Sequence, residues 1–215
     1  MHGDLYRSRW KRVFDFIAAF GGLILLSPLF CLVVAMIKLS SPGRIIFTQV
    51  RVGKGFAKFN LYKFRSMFPN SPSKGLAITS TDDPRITPIG HFLRKYKLDE
   101  LPQLINVLKG DMSLVGPRPE VERYVMVYKD DYEEILSIRP GITDLASLKF
   151  RNENELLLDL QDKELNYINE ILPQKLLLNK LYLSEHNFIL DLKIIFCTVL
   201  GIDSLLRNYE RKIPD

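Results

Sequence analysis

The chain has 215 residues, enough for one medium domain with its own core, and no Gly-, Ser- or Pro-rich linker, repeat or low-complexity tract divides it. Its formal charge of +5 suits anionic partners such as phosphates, nucleotides or an anionic membrane surface. Its two cysteines, Cys31 and Cys197, make neither a zinc spacing nor a disulfide framework and read as buried, inert thiols in a reducing compartment.

Residues 16–37 carry no charged side chain, and about 20 apolar residues are enough to cross a bilayer as a helix. A cleaved signal peptide fits poorly, because no small-x-small site follows and the apolar run continues past Ser27-Pro28. Pro28 removes an amide donor, so a helix must kink or break there, while Ser27 can satisfy a freed carbonyl. Arg7, Arg9, Lys11 and Arg12 precede the run, and Lys38, Arg44, Arg51, Lys54 and Lys58 follow it. Positive charge favours the cytoplasmic side, and here both flanks carry it. A helix bent at Ser27-Pro28 that enters and leaves by one face satisfies both; a kinked full span is the alternative.

Residues 44–50 read as a strand, Gly53-Lys54-Gly55 as a turn and residues 56–67 as a second strand, giving a small β-hairpin. On the second strand Lys63 and Arg65 would share one face, a basic one beside the membrane, with Tyr62 and Phe64 on the other. Residues 69–84 are polar and read as a loop. Short helices are expected at 89–97 and 99–108, the second stopped by Gly110. Residues 121–138 read as one helix ended by Arg139-Pro140-Gly141, and 153–171 and 174–183 as two, separated by Pro173. The last helix, 188–206, carries Phe188, Leu192, Ile195, Phe196 and Val199 on one stripe with Asp191 and Lys193 outside it. Core packing is the first expectation for that stripe and the membrane interface the second.

Three segments can carry chemistry. In Leu98-Asp99-Glu100-Leu101-Pro102-Gln103, Asp99 is placed to cap a helix, since Pro102 suits a first turn. Helix dipoles and the nearby Arg94 and Lys97 favour its ionised form. Such a carboxylate can attack phosphorus, and Glu100 can shuttle a proton or help hold a divalent cation; plain capping is the competing reading. In Gly116-Pro117-Arg118-Pro119-Glu120, two prolines restrict the backbone around an arginine whose fork suits phosphate oxygens; a structural turn with a solvated arginine is the competing and more common reading. In Tyr62-Lys63-Phe64-Arg65-Ser66-Met67, the basic face suits phosphates, against the competing reading of an edge strand with solvated charges. The sequence has no P-loop, GxGxxG or HExxH; His91 and His186 stand alone, and nucleic-acid binding has no motif beyond net charge.

Taken in order, the Ser27-Pro28 break, the 62–67 segment, Thr81-Asp82-Asp83-Pro84-Arg85-Ile86-Thr87, residues 90–94, residues 98–103, residues 106–119 (NVLKGDMSLVGPRP) and Arg139-Pro140-Gly141-Ile142-Thr143 resemble the bacterial sugar transferases called monotopic phosphoglycosyl transferases. The resemblance covers nearly the whole chain and is to the minimal catalytic form, without the multi-span N-terminal extension of larger relatives. It implies an α+β, mostly helical monotopic membrane protein, with a re-entrant helix over residues 1–40 continuous with a catalytic domain over 41–215. It implies a bacterial inner-membrane enzyme with its site facing the cytoplasm. That enzyme transfers a phosphosugar from a UDP-sugar to polyprenyl (undecaprenyl) phosphate with release of UMP, as the first membrane step of glycoconjugate assembly. By analogy Asp99 attacks the β-phosphate and carries the phosphosugar, Glu100 completes the pair, and Mg²⁺ is required with Asp99 as a ligand. Arg94 and Arg118 hold phosphates, with Lys63 and Arg151 as further substrate contacts. Membrane lipids are partners, nucleic acid is not, and a homo-oligomer is left open. Asp144-Leu145-Ala146-Ser147-Leu148 departs from the Gly-Trp-Ala-Gln-Val of many relatives, so the sugar is not read from it. Two rival functions stand beside this one: a metal-dependent nucleotide-sugar hydrolase and a non-enzymatic membrane assembly factor.

Overall fold

The structure, a computed structural model, describes residues 10–69, 83–151, 162–202 and 209. The fold is α+β, mostly helical with two small sheets. Most of the 69–84 loop, the Thr81-Asp82 start of its motif, Arg7, Arg9 and residues 152–161 and 203–206 of the expected helices lie outside the described residues.

The chain opens with two helices in series, α1 (Lys11–Leu25) and α2 (Ser27–Ser40), bent by 61° at the break. No single described helix is long and apolar enough to cross a membrane. The bend has a local cause. Pro28 has no N–H to give the Ile24 carbonyl, its partner four residues back, and Ser27 Oγ donates to that same oxygen at 2.8 Å. Proline and serine therefore break the helix together without leaving its carbonyl unsatisfied. Phe16, Ile17, Phe20, Ile24, Leu25 and Leu32 stand exposed around the bend. Cys31 is exposed there too, against the expectation that it is buried.

Both ends of this pair are tied to the rest of the molecule. At the start of α1, Arg12 donates to the carbonyls of Val107 and Leu108. The buried Asp15 accepts from Ser113 Oγ at 2.8 Å and from the Leu114 amide at 3.1 Å. At the end of α2, Arg65 donates to the Ser41 carbonyl at 2.7 Å, to Ser41 Oγ at 2.9 Å and to the Pro42 carbonyl at 2.8 Å. Arg65 is thus a buried clamp on a helix C-terminus, where cations are favoured, and does not belong to a phosphate-facing strand surface.

The expected hairpin is present as β1 (Ile46–Val52) and β2 (Lys58–Phe64), antiparallel, with Phe47 opposite Lys63. It is shifted and shortened by about two residues at the ends, the usual uncertainty of strand boundaries. Then come α3 (Pro88–Lys95), a single 3-10 turn (Leu98–Glu100) and α4 (Gln103–Lys109), which stops at Gly110 with φ 90°. Asn106 is fully buried and works as a surrogate strand: its Oδ1 accepts from the Tyr62 amide at 3.0 Å and its Nδ2 donates to the Asn60 carbonyl at 2.7 Å. This fixes α4, and the turn before it, against β2. Gly90 lets α3 approach the same layer, since a Cβ there would lie 1.9 Å from the Ser66 carbonyl oxygen.

The second sheet is a parallel pair, β3 (Ser113–Val115) and β4 (Gly141–Thr143). Between them run α5 (Glu122–Val127) and α6 (Lys129–Ile135), two short helices where one was expected, because Tyr128 leaves helical geometry at φ −118°, ψ 45°. After β4 come α7 (Leu145–Lys149) and α8 (Lys163–Asn166), a π turn (Tyr167–Ile171), α9 (Leu172–Glu185) and α10 (Phe188–Leu200). Pro173 does not divide this stretch into separate helices. It sits in the first turn of α9, where proline is tolerated, directly after the π turn and within one continuous helical run.

The largest core lies under α6, α7, α9 and α10, around Tyr132, Leu145, Leu148, Leu178, Tyr182 and Ile194. The stripe on α10 differs from the first expectation. Phe188, Leu192, Phe196 and Val199 are exposed, and the helix buries Leu190, Asp191, Ile194 and Cys197 instead. Asp191 turns inward because it has partners there: Lys11 on α1, and the Tyr182 hydroxyl at 2.6 Å.

Candidate active site

The site is assembled where β2, the 3-10 turn and the segment after β3 meet. Lys97 takes left-handed geometry, φ 55° and ψ 19°, immediately before the turn. For a residue with a Cβ this costs about 1 kcal/mol, and it swings the chain so that α3 and α4 present the 98–100 turn between them. Neither the turn nor α4 has a side-chain cap. Asp99 therefore does not cap, contrary to the capping expectation; α4 begins at Pro102 without a side-chain acceptor.

Asp99 and Glu100 point into different surroundings. Lys63 Nζ donates to Glu100 Oε1 at 2.8 Å. Arg118 grips the same carboxylate with both terminal nitrogens, Nη1 to Oε2 at 3.1 Å and Nη2 to Oε1. This is the fork-to-carboxylate geometry that arginine favours. Burial works to raise the Glu100 carboxyl, but Arg118 and Lys63 outweigh it and hold the group well below the usual carboxylate range. Both oxygens of Glu100 are taken by cations in this arrangement.

Asp99 is buried, at 6% exposure, and among the described residues its carboxylate makes no direct hydrogen bond or ion pair. Burial pushes its pKa up; Lys63, Arg94 and Lys97 pull it down through space and Glu100 adds to the rise. A desolvated carboxylate with nearby cations but no ligand of its own is poised for an external partner. The second cation of this layer, Arg94 on α3, is held by Nε donation to Ser66 Oγ at 2.9 Å, and of the charges around it Asp99 acts on it most strongly.

Sequence reading named Asp99, Glu100, Lys63, Arg94 and Arg118, and the structure brings all five to one place. Arg151 goes elsewhere: its guanidinium donates to the Thr198 carbonyl at 2.6 Å near the end of α10, and no contact among the described residues joins it to the cluster. Asp83 and Arg85 pair with each other, and Thr87 caps α3 by accepting from the Gly90 amide at 3.0 Å. Ser66, Asn106 and Asp144, which fix Arg94, α4 and Arg118 respectively, were missed as supports. Ser66 and Asn106 lie inside the quoted motifs, so only their roles were hidden.

Among the described residues, no three His, Cys, Asp or Glu side chains are placed to hold a metal ion. The donor set does fit a Mg²⁺ shared with substrate. That ion commonly takes one or two carboxylates, with phosphates and water completing its shell, and Asp99 has oxygens to give where Glu100 has none.

A buried carboxylate with lysine and arginine around it, in a molecule that also exposes an apolar bent helix pair, is a site suited to phosphate-bearing substrates. The family model for bacterial sugar transferases matches residues 6–203, and the chain belongs to that family. It is 46% identical over 143 residues to the UDP-N-acetylgalactosamine-undecaprenyl-phosphate N-acetylgalactosaminephosphotransferase of Aeromonas hydrophila, covering 64% of this chain and 33% of that protein. It is 36% identical over 197 residues to the UDP-glucose:undecaprenyl-phosphate glucose-1-phosphate transferase of Escherichia coli K12, covering 88% and 39%. It is 37% identical over 189 residues to the uncharacterized sugar transferase EpsL of Bacillus subtilis, covering 88% and 85%. The chain thus spans about a third of the length of the first two relatives and most of the third.

Proposed function

We propose that the protein transfers a phosphosugar from a UDP-sugar to a polyprenyl phosphate such as undecaprenyl phosphate, at a bacterial membrane, with UMP released. The observation that carries this reading is the contrast between Asp99, buried and without a direct partner among the described residues, and Glu100, locked between Lys63 and Arg118. In the first half-reaction an Asp99 oxygen bonds to the β-phosphorus of the UDP-sugar, the bond from that phosphorus to the oxygen bridging it to the α-phosphorus breaks, and UMP leaves with the electron pair. In the second, an oxygen of the polyprenyl phosphate bonds to the same phosphorus and the Asp99–phosphorus bond breaks, which restores the carboxylate. Splitting the transfer lets one basic pocket serve two phosphate-bearing substrates in turn.

Arg94 and Lys97 offset the negative charge that gathers as carboxylate and pyrophosphate approach, while Arg118 keeps Glu100 in place. Glu100 sets the position of Lys63 and Arg118 as much as they set its own. Asp99 would be the residue to hold a Mg²⁺, which would supply further charge neutralisation when bound. Arg151, occupied at the end of α10, is given no phosphate.

The same-side membrane reading gains support from the anchoring of α1 and α2. The start of α1 and the end of α2 are both bonded to the one catalytic body, so the apolar bend can project into a lipid leaflet and return without carrying either end across. The exposed stripe of α10 is a second apolar surface, and its Phe188 meets Phe14 near the start of α1 edge-on with ring centroids 5.1 Å apart. The test is UMP release from a panel of UDP-sugars in detergent, with and without polyprenyl phosphate. A lipid-linked diphosphate sugar as product supports the transferase. Free sugar phosphate as sole product would make the protein a hydrolase, and no UMP from any sugar would leave the assembly-factor reading.

A further inference from the structure

We propose that Asp144 is a positioning residue for Arg118, one carboxylate oxygen holding the arginine's backbone and the other the first turn of α7; the catalytic arm of the inference rests on the transferase reading above. Asp144 is fully buried, at 0% exposure. Its Oδ2 accepts from the Arg118 amide at 3.0 Å and its Oδ1 from the Ser147 amide at 2.6 Å.

The first contact is singular for a covalent reason. Pro117 and Pro119 have no N–H, so across residues 117–119 the Arg118 amide is the one backbone donor, and Asp144 takes it. The rest of the segment is held through its carbonyls: Pro117 accepts from the Gly141 amide at 2.9 Å and Pro119 from Arg51 Nη1 at 3.1 Å. Asp144 is the only one of these ties made at Arg118 itself. Its register matters because the Arg118 fork meets both oxygens of Glu100, and a planar two-point contact tolerates little lateral shift.

Capping alone does not require this side chain. Serine or threonine caps a helix about as well as aspartate, but each has a single oxygen and cannot reach two amides in different directions. A carboxylate has two, and both are used. Asparagine would turn an NH₂ toward one of the two donors.

The discriminating variant is therefore Asp144→Ser, which keeps an oxygen for Ser147 and releases Arg118. Amide exchange at both positions, followed by NMR in detergent micelles, reads the clamp without any substrate. Exchange at Arg118 is expected to quicken by at least about tenfold while Ser147 stays protected; unchanged protection at Arg118 would overturn the proposal. In the catalytic arm, UMP release should show kcat/KM for the sugar nucleotide falling about tenfold. In an Arg118→Ala background the same substitution should cost nothing more. Equal losses in both backgrounds, or none in the first, would show that Asp144 serves α7 alone. If the serine variant does not fold, Asp144→Asn is read by exchange instead: with one acceptor oxygen for two amides, protection should fall at Arg118 or at Ser147, and protection unchanged at both would overturn the two-point clamp. Absence of UMP release by the unaltered chain would sink the transferase reading and leave the exchange arm to decide on Asp144.

Discussion

Among the described residues Asp99 has cations in range but none in contact, while Glu100, the next residue, has three donor nitrogens on its two oxygens. That difference separates their roles and gives each a test. Asp99→Asn keeps the size and removes the anionic nucleophile, and since Asp99 caps nothing the fold should tolerate it. UMP release should fall by at least about a thousandfold with little change in thermal midpoint; near-normal turnover would end its assignment as nucleophile. The pH profile follows from the same carboxyl. Its pKa is raised by burial and lowered most by Lys63, and it must be ionised to attack, so turnover is lost as pH falls through that raised pKa. Lys63→Met removes the largest lowering influence, so the acid limb of kcat/KM should move to higher pH; a limb that stays in place or moves down would show that another group sets it. Glu100 behaves oppositely in stability. Its folded pKa lies well below the ordinary 4.5, so its contribution is complete above about 4.5 and is lost as pH falls toward the folded value. The five charged site residues were legible in the sequence because phosphate chemistry needs those types. The difference between two adjacent carboxylates was not legible, because it depends on Lys63 and Arg118, 37 and 18 positions away.

At the scale of elements, the break at Ser27-Pro28 was legible down to its mechanism, since a missing amide and a nearby hydroxyl are both written locally. Arg65 was misread because strand alternation says nothing of a helix end 24 residues earlier that wants a cation. Pro173 was misread as a divider because it falls in a helix's first turn, where proline is tolerated, and the helical run continues through it. The same elements give a topology prediction. With Cys31 and Cys197 replaced, single cysteines at Ser8 and at Arg44 should both react with an impermeant thiol reagent from the cytosolic side. Labelling of position 8 from the far side alone would mean an ordinary span. Ser27→Ala with Pro28→Ala should restore a helix of spanning length over residues 16–37 and move a fraction of position 8 to the far side. The bonds of Arg12 and Asp15 to the catalytic body, and the basic residues before them, oppose that move.

For the molecule as a whole, two exposed apolar surfaces stand out among the described residues: the bend of α1 and α2, and the outward stripe of α10, whose Phe188 meets Phe14 near the start of α1. A stripe of this kind exposed to water would be a liability in a soluble domain, whereas on the proposed membrane reading it would be buried at the bilayer surface. The sequence showed the stripe but not its direction, because the inward pull on α10 comes from Lys11 and Tyr182 on Asp191, a pairing across 180 positions in one case. The two half-reactions allow this surface to be tested apart from the chemistry. Phe196 is 60% exposed and Val199 is 77% exposed, so replacing both with aspartate removes no core contact and should leave the thermal midpoint in detergent nearly unchanged. UMP release in the first half-reaction needs only the soluble sugar nucleotide and should persist. Transfer to polyprenyl phosphate in vesicles requires the pocket to sit at the headgroup level. The KM for the lipid should therefore rise by about tenfold or more, as two buried apolar side chains are exchanged for charges that the leaflet repels. A double variant with unchanged lipid KM and unchanged vesicle binding would mean that α10 faces something other than the bilayer, and the hairpin of α1 and α2 would then be the only membrane contact supported by the described residues.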